Sequence, residues 1–321
     1  MSLSYPLQTL LGCVTTHSRR YQCKIRSCQQ VQATPPSSVI LNADRKLHGS
    51  HLASGRDESA APFVSQRNGV GIIGGVSVDA TLKFLRKLVE LSLEDGGNSI
   101  PFVLCSDPLL IKDLVSYERS YFISSTSKAE SSKMDSSPIV QSLRNKRAFL
   151  ENSGARCIVM PCNVSHSWYE QVSEGSSVPF LNMAECVAKE LKEAKFKPLE
   201  AGSPLRIGVL ATNATLAAGF YKEKLQNEGF EVVLPDRATM EHTVIPATEA
   251  LNRKDMEGAC NLLRIALQVL LVRAANSVIL ASDDMRDLLP PDDPLLRKCI
   301  DPMDSLARST IKWARSYGDN T

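Results

Sequence analysis

What this sequence lacks removes several classes of function before any motif is considered. No apolar run approaches the roughly 20 residues needed to cross a bilayer, so no membrane engagement is expected. The nine cysteines among 321 residues form no C-x-x-C pair and no Cys/His cluster. Neither a zinc site nor a disulfide framework is therefore supported, and no metal is expected. Charge of one sign is not in excess: 37 Lys and Arg stand against 35 Asp and Glu, for a net charge of +2. No basic stripe interleaves with aromatics, so nucleic acid is not an expected partner. The glycine turn Gly71-Ile72-Ile73-Gly74-Gly75 is spaced G-x-x-G-G rather than G-x-G-x-x-G. No acidic residue closes a second strand, and no Lys-Ser/Thr pair follows, so no nucleotide cofactor is expected. The turn is expected instead to aim backbone N–H groups at a small anion, with a helix N-terminus behind it from Ser77.

Acidic residues are also missing from the N-terminus. None precedes Asp44, while Arg19, Arg20, Lys24 and Arg26 sit among Ser, Thr and Gln. Arg and Ser without acid, and without a continuous apolar core, is the composition of an organelle transit peptide. Residues 1–67 are expected to be a transit peptide and disordered linker addressed to the chloroplast, with the mitochondrion as the alternative address and an address-free tail as the plain one.

What remains is ordinary globular composition, 43% apolar and 22% charged, long enough for two lobes with separate cores. The chain also repeats itself. Gly71 and Gly208 each lie in an apolar run, and from each an aromatic (Phe84, Tyr221), a Lys (Lys87, Lys224) and a Leu (Leu88, Leu225) fall at matching offsets. Each half reads as a buried strand, a turn and an amphipathic helix, followed by further strands at 100–105 and 156–161, or 229–234 and 277–281. Helices are expected over 139–153 and 255–275. Strands alternating with helices imply parallel sheets. The expected fold is α/β, with two similar Rossmann-like lobes related by pseudo-twofold symmetry and the active site between them. Residues 68–200 would form the first lobe, with a Ser-rich surface insertion at 124–137. Residues 201–321 would form the second, its C-terminal segment packing on the first.

The apolar run Cys157-Ile158-Val159 ends in Met160-Pro161-Cys162-Asn163-Val164-Ser165-His166. A buried strand ending in a thiol, an amide and a small hydroxyl presents chemistry to the crevice above an α/β sheet. The other five cysteines outside the leader, Cys105, Cys157, Cys186, Cys260 and Cys299, read as reduced core thiols.

These residues resemble the aspartate/glutamate racemase family, whose members work without pyridoxal phosphate or metal. Gly71 to Ser77 matches that family's G-I-I-G-G-M-S, with Val76 in place of Met. Pro161 to His166 matches P-C-N-T-A-H, and Pro179-Phe180-Leu181-Asn182-Met183 matches I-P-F-I-N-M. Gly208-Val209-Leu210-Ala211-Thr212 and Ile300-Asp301-Pro302-Met303-Asp304 follow in order, so the resemblance spans about 68–316. It implies an isomerase acting on aspartate or glutamate without a cofactor, and a homodimer.

In such chemistry a thiolate and a thiol flank the α-carbon, one removing its proton and the other returning it on the opposite face. Cys162 matches the first thiol. The second signature, G-C-T-E, corresponds to Ala281-Ser282-Asp283-Asp284, which leaves Ser282 in the thiol's place. A hydroxyl is a far weaker acid than a thiol, and the two Asp would raise the pKa of any acid beside them. The expected catalytic pair is Cys162 and Ser282, with Ser77, Asn163, Val164, Ser165, Thr212, Asp283 and Lys112 binding substrate. His166 and Asp284 would stand behind them, His166 either facing the thiol or bracing the lobe. Lys112 is beside the position of the family's carboxylate-gripping Arg, and Leu251 falls at that of its Lys, with Arg253 and Lys254 adjacent. Two other readings stay open. One is a lapsed homologue that binds an amino acid or a partner, and the other a single-cysteine isomerase or decarboxylase of a small dicarboxylic acid.

Overall fold

The computed structural model describes residues 67–94, 99–126, 135–194, 202–283 and 285–318; the side chains of 122–126, 286 and 318 are not described. The leader at 1–66, most of the Ser-rich insertion and Asp284 lie outside the described residues.

The first half runs β1 (Val70–Ile73), α1 (Val78–Glu94), β2 (Phe102–Cys105), α2 (Pro108–Thr126), α3 (Ser137–Asn152) and β3 (Cys157–Val159). A 3-10 turn at Val164–Trp168 leads into the short α4 (Tyr169–Ser173), and then α5 (Met183–Glu193) follows. The second half runs β4 (Arg206–Ala211), α6 (Asn213–Ala218), α7 (Phe220–Asn227), β5 (Glu231–Val233), α8 (Arg237–Thr239) and α9 (Ile245–Asn252), with a π-helical segment at Met240–Val244 between the last two. It ends with α10 (Met256–Val272), β6 (Ser277–Ala281), β7 (Cys299–Ile300) and α11 (Pro302–Gly318).

Both sheets are parallel and share one plan. The first is ordered β2-β1-β3 and the second β5-β4-β6-β7. The first gains the equivalent of β7 through a parallel bridge from Ile158 to Phe180. Gly71 pairs with Ile158 in one sheet, and Gly208 with Val278 in the other. A Cβ on Gly71 would lie 2.6 Å from Ile158 Cδ1, and one on Gly208 would lie 3.0 Å from Val278 Cγ2. The repeated glycine is thus kept by the branched residue beside it.

Helices cover both faces of each sheet, as central parallel strands require. Over one face of the first sheet, Leu110 and Leu114 of α2 join Ile139, Leu143 and Leu150 of α3. Over one face of the second, Leu263, Leu267 and Leu270 of α10 meet Leu210, Val278 and Leu280. The remaining faces are covered by exchange. α11, which follows the last strand of the second half, buries Met303, Leu306, Ala307 and Ile311 against Ile72, Phe84 and Leu88 of the first. In return α5, from the first half, buries Ala184, Val187 and Leu191 against Ile207, Val209 and Ile279 of the second.

The repeated Lys explains itself here. Lys87 on α1 bonds Asp304 at 2.5 Å and Asp301 at 3.1 Å, at the start of α11. Lys224 on α7 bonds Glu185 at 3.0 Å, at the start of α5. Each therefore clasps the helix arriving from the other half, and adds a cation to an acidic helix N-terminus. Asn182 and Asp301 cap these two helices, accepting from Ala184 N and Met303 N respectively, as short polar side chains do. No described helix is long and apolar enough to cross a membrane.

Candidate active site

The sheet registers set the geometry. Cys162 stands as far beyond Ile158 as Ser282 stands beyond Val278, so the thiol and the hydroxyl occupy equivalent strand ends on the two lobes. The next residues, Asn163 and Asp283, bond each other directly. Asn163 Nδ2 donates to Asp283 Oδ1 at 2.7 Å, while Asn163 Oδ1 accepts from Tyr221 Oη at 2.8 Å. A hydrogen bond to a charged acceptor is worth about 1.5–3 kcal/mol. This chain of Tyr221, Asn163 and Asp283 fixes one lobe on the other beside the paired strand ends. Tyr221 occupies, in the repeat, the place of Phe84. Its hydroxyl is the one chemical difference between those positions, and the matching offsets were the signal that could have found it.

Cys162 is fully buried. Its Sγ accepts from Val76 N at 3.4 Å, and a Cβ on Gly75 would lie 2.2 Å from Cys162 Cβ. Only glycine therefore allows the turn to close over the thiol. Burial, followed by the charge of Asp283, pushes the thiol up to about 12, although the Ser165 hydroxyl and N–H and the Val76 N–H pull it back. In this arrangement the sulfur carries its proton at neutral pH. The expected anion cradle at the glycine turn is not formed. Gly74 N donates to Cys105 O at 2.9 Å, Gly75 N to Thr81 Oγ1 at 3.5 Å and Val76 N to the thiol. These donors already have acceptors within the protein.

A cavity of about 240 Å³ opens between the lobes, with Val76, Ser77, Thr212 and Ser282 at one end. Arg119 and Val115 of α2, and Thr248, Leu251 and Asn252 of α9, line the other parts. A second cavity, of about 280 Å³, lies on the far side of Ser282. It is reached by Asn163 and Asp283 and walled by Lys83, Lys87 and Asp287. Burial pulls the pKa of Lys83 down, but Asp287 and Asp79 outweigh it and hold the ammonium above its ordinary value.

The sequence-derived site residues are thus partly gathered. Ser77, Thr212 and Ser282 line the first cavity, Cys162 bonds the N–H of Val76 in its wall, and Asn163 and Asp283 line the second. Two of these expectations, Lys112 and Val164 as substrate-binding residues, need correction. Lys112 is exposed on α2 and lines neither cavity. Val164 is buried in the core of the first lobe. Ser165 is fully buried near the thiol, and its hydroxyl makes no hydrogen bond among the described residues. His166 turns away from the sulfur. Its Nδ1 lies 2.9 Å from Cys162 O, and its Nε2 accepts from Met183 N at 3.1 Å. That pairing fixes a neutral ring with Nδ1–H donating, and makes His166 a brace between the thiol strand and α5. Arg253 pairs with Glu249 at 4.0 Å. Neither it nor Lys254 lines a cavity, although Leu251 does. Cys299 donates to Leu295 O at 3.3 Å, away from both cavities.

His166 makes a pH prediction. Burial, only partly offset by the Cys162 carbonyl, lowers its pKa from 6.5 to about 4. Below pH 6.5 the unfolded chain takes up a proton that the folded chain refuses until about pH 4. Stability present above 6.5 is therefore lost as pH falls through that window, by on the order of 3 kcal/mol. Urea midpoints measured at pH 7 and pH 4.5 should show this loss, and His166→Gln should flatten that part of the profile.

The two lobes thus set equivalent strand ends beside one cavity, a thiol following the strand in the first and a hydroxyl following the strand in the second. Residues 73–310 match the family model for Asp/Glu/hydantoin racemases, and the chain belongs to that family. It is similar to the Picrophilus torridus aspartate racemase, with 25% identity, a TM-score of 0.57, and coverage of 77% of this chain and 94% of that one. An aspartate racemase homologue from Pyrococcus horikoshii OT3 shares the fold at 21% identity, with a TM-score of 0.59 over 77% of this chain and 99% of that one. Among curated proteins, the broad specificity amino-acid racemase RacX of Bacillus subtilis is 26% identical over 171 residues, covering 52% of this chain and 69% of that protein.

Proposed function

We propose that the chain is an amino-acid racemase-type isomerase that exchanges the α-proton of an amino acid, with Cys162 as the acid/base on one face and Ser282, or a water it holds, on the other. The observation that carries this reading is that Cys162 and Ser282 follow equivalent strand ends, with Ser282 lining the interlobe cavity and Cys162 bonded to Val76 of its wall. The family membership and the aspartate racemase and amino-acid racemase names of similar proteins support it.

In the proposed step the Cα–H bond breaks and the proton goes to Cys162 as thiolate, forming S–H. A proton from the Ser282 hydroxyl, or from its water, is added to the opposite face, and the alkoxide or hydroxide left is reprotonated by solvent. The cost of ionising Cys162 is met from the substrate side. A bound ammonium near the sulfur supplies the positive charge that the site lacks, and the Gly75 to Ser77 turn must shift to uncover the thiol. No cofactor enters the step. The resemblance names aspartate and glutamate as substrates; the α-carbon chemistry is common to all amino acids.

One observation favours a second reading, an amino-acid-binding homologue without turnover. Cys162 is sealed and its pKa is pushed up to about 12.

The two readings separate in D₂O. The full chain is incubated with L-amino acids while α-proton loss is followed by NMR and D-enantiomer by chiral chromatography. The racemase reading expects exchange accompanied by D-product. Exchange without inversion confines the activity to the Cys162 face, and no exchange by folded protein with Cys162 intact leaves the binding reading.

A further inference from the structure

The cavity bearing Ser282 has an uneven distribution of charge. α2 presents Val115, Glu118 and Arg119 to it, spaced as one face of a helix. Among the described side chains that line it, Arg119 is the one cation and Glu118 the one anion. The opposite wall, from α9, offers Thr248, Leu251 and Asn252, and Met285 and Leu288 add apolar surface. Of the three cations that line the cavity beyond Ser282, Lys83 is paired with Asp79 and Asp287 and Lys87 with Asp301 and Asp304, while Arg86 shares its lining with Glu90. Asp283, next to Ser282, places negative charge on that side as well.

From this we infer that the cavity selects amino acids with an uncharged side chain, holding their single carboxylate on Arg119 and leaving the side chain among Leu251, Met285 and Leu288. This rests on the amino-acid reading above and narrows it. A zwitterion matches a lining of one positive and one negative group. Aspartate or glutamate brings a second carboxylate to a wall whose polar groups are a hydroxyl and an amide, and burying an unpaired charge there is unfavourable. Arg119 suits the anchor's part because a guanidinium grips a carboxylate through two parallel N–H donors. It lies about two turns along α2 from Lys112, on the same face, which moves the anchor to the cavity that Lys112 does not reach.

The test uses the full chain with L-methionine, L-leucine and L-glutamine against L-aspartate and L-glutamate. α-Proton exchange in D₂O is read together with binding by saturation-transfer NMR. The expected result is kcat/KM at least about tenfold higher for the uncharged set. Arg119→Gln should raise KM about tenfold or more for every substrate while kcat changes less, and Arg119→Lys should restore part of the loss. Arg119 is exposed, so a melting curve should show all variants folded. Faster exchange of aspartate or glutamate than of every uncharged amino acid, or an unchanged KM in Arg119→Gln, overturns the inference and leaves the racemase reading standing. If no amino acid exchanges but the uncharged ones bind and lose binding in Arg119→Gln, the racemase reading falls and the inference stands. If none binds, both fall.

Discussion

Replacing Cys162 by alanine should lower α-proton exchange by about 10²–10⁴-fold, the range that a positioned acid or base contributes to proton transfer. The sulfur lies beyond the end of β3 and takes the N–H of Val76, in the wall of the cavity, as a hydrogen bond. No other described cysteine holds a comparable position: Cys299 donates to Leu295 O, Cys157 and Cys186 lie in the core beneath α11, Cys260 in the core beneath α10, and Cys105 packs against the core under α2 and α3. Cys299→Ala is therefore expected to leave exchange unchanged. Cys162 is buried, so its alanine variant leaves a small void and should melt a few degrees lower. Cys162→Ser keeps the volume and should lose exchange equally, which separates chemistry from folding.

The pH dependence gives an independent check on the same group. Because burial and Asp283 push the thiol up to about 12, the thiolate fraction should grow about tenfold for each pH unit below that value. Wild-type exchange limited by this ionisation should rise with pH from neutrality into the alkaline range. A plateau reached near neutrality would mean that a bound ligand lowers the thiol's pKa by several units, which NMR titration of the ligand-bound enzyme would resolve.

The strands and the long helices were legible because their signal is local. Gly71-Ile72-Ile73 and Val278-Ile279-Leu280 are continuous apolar runs, and α1 buries Phe84 and Leu88 at helical spacing. The repeat was legible from the matching offsets of glycine, aromatic, Lys and Leu. What those residues meet was not. Periodicity tells which face of a helix is buried, not which surface covers it, so the crossing of α5 to the second half and the pairing of Lys87 and Lys224 with the arriving helices had no local trace. The same holds for the glycine turn. Its spacing predicted free N–H groups, whereas folding brings Cys105 O, Thr81 Oγ1 and Cys162 Sγ to them. Lys112 illustrates the limit of matching position to position. The cavity is bordered farther along the same helix face, where Arg119 stands, and only packing between α2 and the second lobe decides how far along a helix the cavity begins.

Ser282→Cys should raise formation of the D-enantiomer by about 10²-fold or more while changing one-face exchange far less. The registers make position 282 the counterpart of 162, so a thiol there would stand where proton return to the opposite face is needed. A hydroxyl ionises with much more difficulty than a thiol, and at neutral pH it gives up its proton slowly. In the wild type, return on that side is therefore the slow step, and Cys162-side exchange should exceed inversion. The local charge limits the gain. Asp283 lies next in sequence and raises the pKa of a neighbouring acid, although the Asn163 amide donates to its Oδ1 and disperses part of that charge. For this reason a thiol at 282 should act first as a proton donor, the role that inversion from the L-enantiomer requires of it once Cys162 has taken the α-proton. Inversion starting from the D-enantiomer needs the same thiol as its thiolate, so its kcat should improve less at pH 7 than at pH 9, with KM compensating because kcat/KM is equal in the two directions. Equal kcat values from both enantiomers at saturating substrate and pH 7 would contradict this charge assignment. No rise in D-product from a folded variant that retains Cys162-side exchange would remove Ser282 from the opposite face altogether.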